Sequence, residues 1–408
     1  MEMDYMQLPP EIRAAMYSAM EISSIIPPSA PQPAYAEMIA KGGVTCPMAG
    51  VAVSFGREQT DFVLRHHELF SSAGNIPLGN VRPLIPLSID PPKHGKYRKI
   101  LDPLFAPKRM DAQTDDITAR ANHFIDQFIE RGECNFSEEF AEQFPSAVFL
   151  GLMGLPWEEL DTLLGLRDGI LHPGKIDPQA DLDPMVRFGI MGETGQRIYA
   201  YFNGHLDARQ ANPTGDILTH FLTTEVDGDK LTREEILDVC YLFLIAGLDT
   251  VSDSLTCMFA FLANHPEHRQ QLIDSPDVIP SAVEELLRWE SPVPYGVGRL
   301  ATQDVELPGG TMIPEGSAVL VSYGAANIDP SEFDDAFDVR FDRETNRHIA
   351  FGGGVHRCLG SHLARRELRI ALAVWHQRIP NYGIKPGHET LEFPPGLRHI
   401  KDLTLSWS

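Results

Sequence analysis

Phe351-Gly352-Gly353-Gly354-Val355-His356-Arg357-Cys358-Leu359-Gly360 sets three glycines and a single cysteine directly before an apolar-periodic run, Ser361 to Ala373. The pattern reads as a tight loop that enters a helix. A thiolate on such a loop has backbone N–H groups aimed at it, which suits a metal ligand. Zinc needs several protein ligands, and no other cysteine lies near Cys358 in the sequence. A haem iron needs only an axial thiolate, because the porphyrin supplies the in-plane ligands. The glycines also let the backbone lie flat against a macrocycle.

The spacing Phe351, Gly352, Gly354, His356, Cys358, Gly360 resembles the haem-binding signature of the cytochrome P-450 family. The resemblance extends over nearly the whole chain. It is strongest with the soluble bacterial members, the camphor hydroxylase and related terpenoid hydroxylases among them. It implies a mainly α fold with a minor β region, built as one domain over residues 1–408. The haem would lie between a long central helix and the cysteine loop. The helix-rich core is expected at about 90–290 and 358–377, and the β-rich portion at about 51–56, 297–322 and 383–408.

The totals agree with that class. The chain has 408 residues, 43% of them hydrophobic, enough for a large core. No linker, low-complexity tract or repeat divides it. Cys46, Cys134, Cys240, Cys257 and Cys358 are odd in number and scattered, which suggests a reducing compartment without a disulfide framework. The longest apolar run, Tyr241 to Leu248, falls well short of the ~18 residues of a membrane span. The acids Glu2 and Asp4 stand where a signal peptide would be basic. A soluble cytoplasmic protein is expected, with no membrane association. The net charge of −23 argues against nucleic acid as a partner.

Along the chain, residues 1–50 read as irregular after a short helical start from Pro10 to Met20. A strand at 51–56 and a helix near Phe62 to Phe70 follow. The Pro/Gly-rich stretch 71–90 is a long loop, a length often functional. Asp90-Pro91-Pro92 opens a helix. Helical periodicity covers 110–131, 137–153, 157–170 and 184–210. Thr232-Arg233-Glu234-Glu235 is a capping box that starts the longest helix, ending near Asn264 before Pro266. Helices at 266–273 and 279–289 precede a β-textured region from Val297 to Val321. Residues 328–350 read as irregular and charged.

Four constellations bear on chemistry. Ala246-Gly247-Leu248-Asp249-Thr250 lies mid-way along the longest helix, where glycine costs about 1 kcal/mol relative to alanine. Close approach of a flat group is one reason for it. The Thr250 hydroxyl can turn back to the Ala246 carbonyl, and Asp249 is an acid in an apolar segment. The run resembles the family's oxygen-activation motif, which implies proton delivery by Asp249 and Thr250. Glu285 and Arg288, at i and i+3, share one helix face and match the family's ExxR ion pair. Its third basic residue is Arg340 or Arg343, and the spacing leaves both open. His94 and Arg98, at i and i+4 after Asp90-Pro91-Pro92, match the family's haem-carboxylate contacts, with Arg299 and His356 as further candidates. Finally, Lys93, Lys96 and Lys99, with Arg357 and Arg366 beside the cysteine loop, would form a basic face for an acidic electron donor.

The resemblance therefore implies a haem b monooxygenase that uses O2 and two electrons from an iron–sulfur ferredoxin with an NAD(P)H-dependent reductase. The segments expected to line the pocket, 74–88, 244–247 and 292–297, are apolar with few polar handles, Asn80 and Tyr295 among them. That suits a small apolar substrate, a terpenoid by analogy. Two other readings are a peroxygenase driven by H2O2 and a non-catalytic haem sensor or ligand carrier. The Asp249-Thr250 pair weighs against the first, and the lack of an appended signalling domain against the second.

Overall fold

The computed structural model describes residues 26–48, 50–73, 78–226, 228–394 and 396–408. The expected helical start, Pro10 to Met20, lies outside them. Helices dominate, with small sheets beside them, as expected. The chain divides into two compact units. One comprises 1–74, 110–141 and 250–408; the other comprises 75–109 and 142–249.

The first unit holds a five-stranded sheet. Its strands lie in the order Val44–Met48, Val51–Ser54, Ala318–Val321, Arg299–Ala301, Phe70–Ser71. Ala318–Val321 runs parallel to Val51–Ser54 with Val319 beside Ala52 and Leu320 beside Val53; the other pairings are antiparallel. Val51–Ser54 is buried along its length, which explains why it reads as a continuous apolar run rather than an alternating one. Val44–Met48 was expected to be irregular. Pro47 obscures it, and proline is tolerated there because this is an edge strand.

The helix entered from the cysteine loop is Ser361–Arg378. Its inner face carries Leu368, Ala371, Leu372 and Trp375, all without solvent contact. The Trp375 ring meets Phe136, Phe140 and Phe259 at centroid distances of 5.1, 5.4 and 5.1 Å. Large aromatic area buried at these angles anchors the helix that carries the loop. A second sheet, Tyr382–Ile384, Thr404–Trp407 and Glu133–Asn135, joins the chain's tail to its middle. Glu133–Asn135 is too short and polar to read as a strand; its partner Thr404–Trp407, near the other end of the chain, creates it.

The second unit is almost wholly helical: Lys93–Leu101, Gln143–Met153, Leu160–Leu171, Pro184–Ala211 and Ile217–Thr223. Gly169 lets Leu160–Leu171 approach Pro184–Ala211, since a Cβ there would lie 2.2 Å from Thr194 Oγ1. The longest helix spans Arg233–Asn264, and the boundary between the units falls within it, after Asp249. Its capping box is reciprocal. Glu235 N–H donates to Thr232 Oγ1 at 3.2 Å, and Thr232 N–H donates to Glu235 Oε2 at 2.8 Å. No helix among the described residues is long and apolar enough to cross a membrane.

Candidate active site

The cysteine loop is closed by its own backbone. Cys358 N–H donates to the Phe351 carbonyl at 2.9 Å, and Gly352 N–H to Ile349 at 2.8 Å. Gly352 and Gly354 have φ of +66° and +63°, which side-chain-bearing residues rarely adopt. At Gly354 the constraint is doubled, because a Cβ would sit 2.0 Å from the Leu64 carbonyl oxygen. Gly360 differs: a Cβ there would touch nothing within 4 Å. Internal packing does not account for it, whereas a flat group lying close would.

All five cysteines are thiols. Burial pushes the pKa of Cys134, Cys240 and Cys257 upward, away from thiolate chemistry. Cys358 is exposed. Among the described residues no group of three or more His, Cys, Asp or Glu could hold a metal ion alone. An accessible lone thiol on a glycine-defined loop fits a haem, whose macrocycle brings the remaining ligands.

Behind the loop sits a buried ion cluster. Glu285 and Arg288 are both fully buried and meet in a fork, Nε to Oε2 at 2.9 Å and Nη2 to Oε1 at 2.8 Å. Arg343 completes it through its side chain, at 3.1 and 3.3 Å. Arg340 contributes its backbone N–H alone, at 2.9 Å; its guanidinium turns outward to Asp335 and Asp342. So the choice between Arg340 and Arg343, open in the sequence, falls to Arg343 for the side chain. Arg288 further donates to the carbonyls of Asn327, Ala336 and Asp338, which satisfies its buried donors.

The neighbouring Glu284 had no assigned role. It accepts from Arg365 at 2.8 Å, Arg369 at 3.1 Å and His348 at 3.0 Å. Arg365 in turn covers the Phe351 ring at 4.3 Å. Burial alone would raise the Glu284 pKa; hydrogen bonds from His348 and Arg365 and the charge of Arg365 outweigh it and bring it down to about 2. Two consecutive glutamates thus tie one helix to two segments. Glu285 grips the stretch around Arg343, and Glu284 grips the cysteine loop and its helix.

In the longest helix, the residues flanking the motif are buried, yet Ala246 is exposed and Gly247 and Thr250 are half-buried. These three positions, i, i+1 and i+4, share one face. That face is open where the rest of the segment is packed. A Cβ at Gly247 would meet only the Phe149 ring at 3.5 Å, so the protein itself would tolerate alanine.

Asp249 is 3% exposed, not solvated. Its Oδ2 lies 2.5 Å from His172 Nε2 and its Oδ1 3.4 Å from Arg167 Nε. Arg167 is itself buried and also meets Glu142 at 2.7 Å and Asp168 at 2.5 Å. Burial would lower the Arg167 pKa, but Asp249, Glu142 and Asp168 together raise it. Neither Arg167 nor His172 was foreseen. His172 lies 77 residues from Asp249, and no spacing rule connects them.

The remaining candidates are placed as follows. His94 is buried on Lys93–Leu101, and Arg98 Nε meets Asp102 at 2.7 Å. Arg299 is buried, with Nη1 donating to the Val297 carbonyl at 2.7 Å. His356 is half-buried. Lys93, Lys99 and Arg357 are exposed. Lys96 lies 3.8 Å from Glu235 and 3.9 Å from Asp229, and Arg366 pairs with Asp111. Asn80 is a turn-former rather than a free polar handle: it accepts from Leu78 N–H at 2.9 Å and donates to Arg82 O at 2.8 Å.

Comparison with known proteins bears directly on this arrangement. The family model of cytochrome P450 matches residues 190–279 and 277–378. A probable cytochrome P450, 127A1, of Sinorhizobium fredii is 35% identical over 352 residues, 86% of this chain and 80% of the relative. The chain belongs to the cytochrome P450 family. It is a haem-thiolate monooxygenase by class, with haem b as its cofactor. The mycinamicin IV hydroxylase/epoxidase of Micromonospora griseorubida is 34% identical over 328 residues, 79% of each chain. P450BioI, solved with an acyl carrier protein bearing hexadec-9Z-enoic acid, superimposes with a TM-score of 0.84 at 27% identity, covering 93% of this chain and 99% of that one.

Proposed function

We propose that this cytochrome P450 is a cytoplasmic hydroxylase of a small, largely hydrocarbon substrate, a terpenoid, fed with two electrons by an iron–sulfur ferredoxin and its NAD(P)H-dependent reductase. The observation that carries the reading is the juxtaposition within one helix of an accessible Thr250 and a buried, ion-paired Asp249. When bound, the haem supplies O2 activation and transfer of one oxygen atom to a C–H bond.

The chain's own residues would do the rest. Cys358 would ligate the haem iron, and Phe351, Gly352 and Gly360 shape the loop that presents it. His94, Arg98, Arg299 and His356 would hold the haem carboxylates. Thr250 holds a hydrogen-bonded water at its hydroxyl, and Asp249 passes protons toward it. An acidic donor would meet the exposed Lys93 and Lys99 on Lys93–Leu101 and the exposed Arg357 on the cysteine loop; Lys96 and Arg366 carry charge already shared with acids.

The test compares product formed, NADH consumed and H2O2 released in wild type, Thr250→Ala and Asp249→Asn. Thr250→Ala is expected to divert reducing equivalents to H2O2, and Asp249→Asn to slow turnover by on the order of tenfold or more. Substrate binding is expected to change little in either. A Thr250→Ala protein that stays fully coupled on a substrate lacking any hydroxyl removes the relay role of Thr250. Product formation with H2O2 alone, equal to that with NADH and ferredoxin, replaces this reading with a peroxygenase.

A further inference from the structure

Asp249 needs a supply of protons, and its surroundings restrict where they come from. Its carboxylate is almost wholly buried, so it does not exchange with solvent at its own surface. Arg167, which meets Oδ1, is 1% exposed and carries a guanidinium, which does not give up a proton in proteins. His172, which meets Oδ2, carries an imidazole. Its side chain is 23% exposed against 4% for Asp249. Imidazole is the side chain whose ordinary titration falls nearest neutral pH.

We propose that His172 is the solvent-side end of the proton path to Asp249. The inference rests on the reading of Asp249 as the relay acid. His172 follows the last residue of Leu160–Leu171, where its backbone N–H donates to the Asp168 carbonyl at 2.9 Å. Its Nε2 faces Asp249 on the longest helix. Asp249 also meets Arg167, which pairs with Asp168 on its own helix and with Glu142 just before Gln143–Met153; Lys175, on the following short helix, meets Glu142.

The transfer balances without any further reagent. Once Asp249 has passed its proton toward Thr250, the imidazolium of His172 gives its Nε2 proton to Oδ2. The N–H bond breaks and an O–H bond forms, leaving a neutral ring. That ring then takes a proton from water or buffer at the surface. Arg167 holds Oδ1 throughout, so the carboxyl stays in place while Oδ2 changes state. His172 is therefore a positioning and relay residue acting through Asp249, not a group that meets substrate.

The test uses His172→Gln, which keeps an N–H donor of similar reach without a titration, and His172→Asn as a second variant. The first readout does not depend on turnover. NMR titration of His172 in the ferric protein is expected to show a lower pKa in Asp249→Asn than in wild type, because the variant removes the facing charge. An unchanged titration overturns the inference by breaking the coupling it needs. The second readout is turnover against pH with saturating donor. Wild-type turnover is expected to depend on pH between about pH 6 and 8, and both His172 variants to lose that dependence. They should also turn over several-fold more slowly, with a larger solvent isotope effect. A wild-type pH profile in a folded, haem-loaded His172→Gln protein overturns the inference. If Asp249→Asn is slow while His172→Gln matches wild type, only the role of His172 fails. If Asp249→Asn also matches wild type, the relay reading fails with it.

Discussion

Replacing Arg343 by methionine tests which residue completes the buried ion cluster, and the structure sets the size of the effect. Arg343 is 7% exposed and Glu285 fully buried. Its loss removes two hydrogen bonds to the carboxylate and three to carbonyls, of Asp334 at 2.6 Å, Asp335 at 3.3 Å and Asp338 at 3.4 Å. Removing one partner of a buried pair costs about 3–5 kcal/mol. Glu285 keeps Arg288, the Arg340 N–H and Asn346, so the lower end applies, about 3 kcal/mol. The Arg340 side chain is 42% exposed and its acidic partners 56% and 80%. Arg340→Met therefore costs about 0–1 kcal/mol, because the backbone donation survives. With a urea slope of about 3 kcal/mol per molar, Arg343→Met lowers the unfolding midpoint by about 1 M and Arg340→Met by a third of that at most. Urea unfolding followed by far-ultraviolet circular dichroism at pH 7 measures both. Equal shifts, or a larger one for Arg340→Met, would refute the assignment.

Other outcomes follow from the same geometry. The Glu284 carboxyl, held at about 2, contributes stability that is present above its ordinary pKa and lost as pH falls from about 4.5 toward 2. Glu284→Gln is expected to be less stable at pH 7 by about 3 kcal/mol and to lose less between pH 5 and 3; an acid limb identical to wild type would show that Glu284 carries no such load. Charge reversal at Lys93 and Lys99 should slow electron transfer from a ferredoxin at low ionic strength and weaken its salt dependence. The same change at Lys96 or Arg366 places an acid beside Glu235 or Asp111, so it should lower stability as well. Unaltered rates in a Lys93→Glu/Lys99→Glu protein would remove the basic face from the account.

What the sequence made legible was local. The cysteine loop, the capping box at Thr232 and the Glu285/Arg288 spacing are patterns within a few residues, and each stands where it was expected. The longest helix spans Arg233–Asn264 because its cap and the proline after it are both written locally. Interactions over long separations were not legible. Glu133–Asn135 becomes a strand only through Thr404–Trp407, and Val44–Met48 only through Val51–Ser54. Arg167 and His172 reach Asp249 from the end of a helix far away in sequence. Arg343 and Arg340 stand three residues apart in an irregular segment, where no periodicity shows which side chain turns inward. Glu284 was hidden by its neighbour: one glutamate of the pair satisfied the motif, and the other drew no attention.

The central claim is that Cys358 is the thiolate on which this chemistry depends, and the CO complex of the reduced protein tests it most directly. Wild type is expected to give the red-shifted Soret band of a thiolate-ligated haem, and so is Cys46→Ala, which alters the other exposed cysteine. Cys358→Ala is expected to lose the band altogether. A Cys358→Ala protein that binds haem and keeps the thiolate-type band would contradict the account at its foundation.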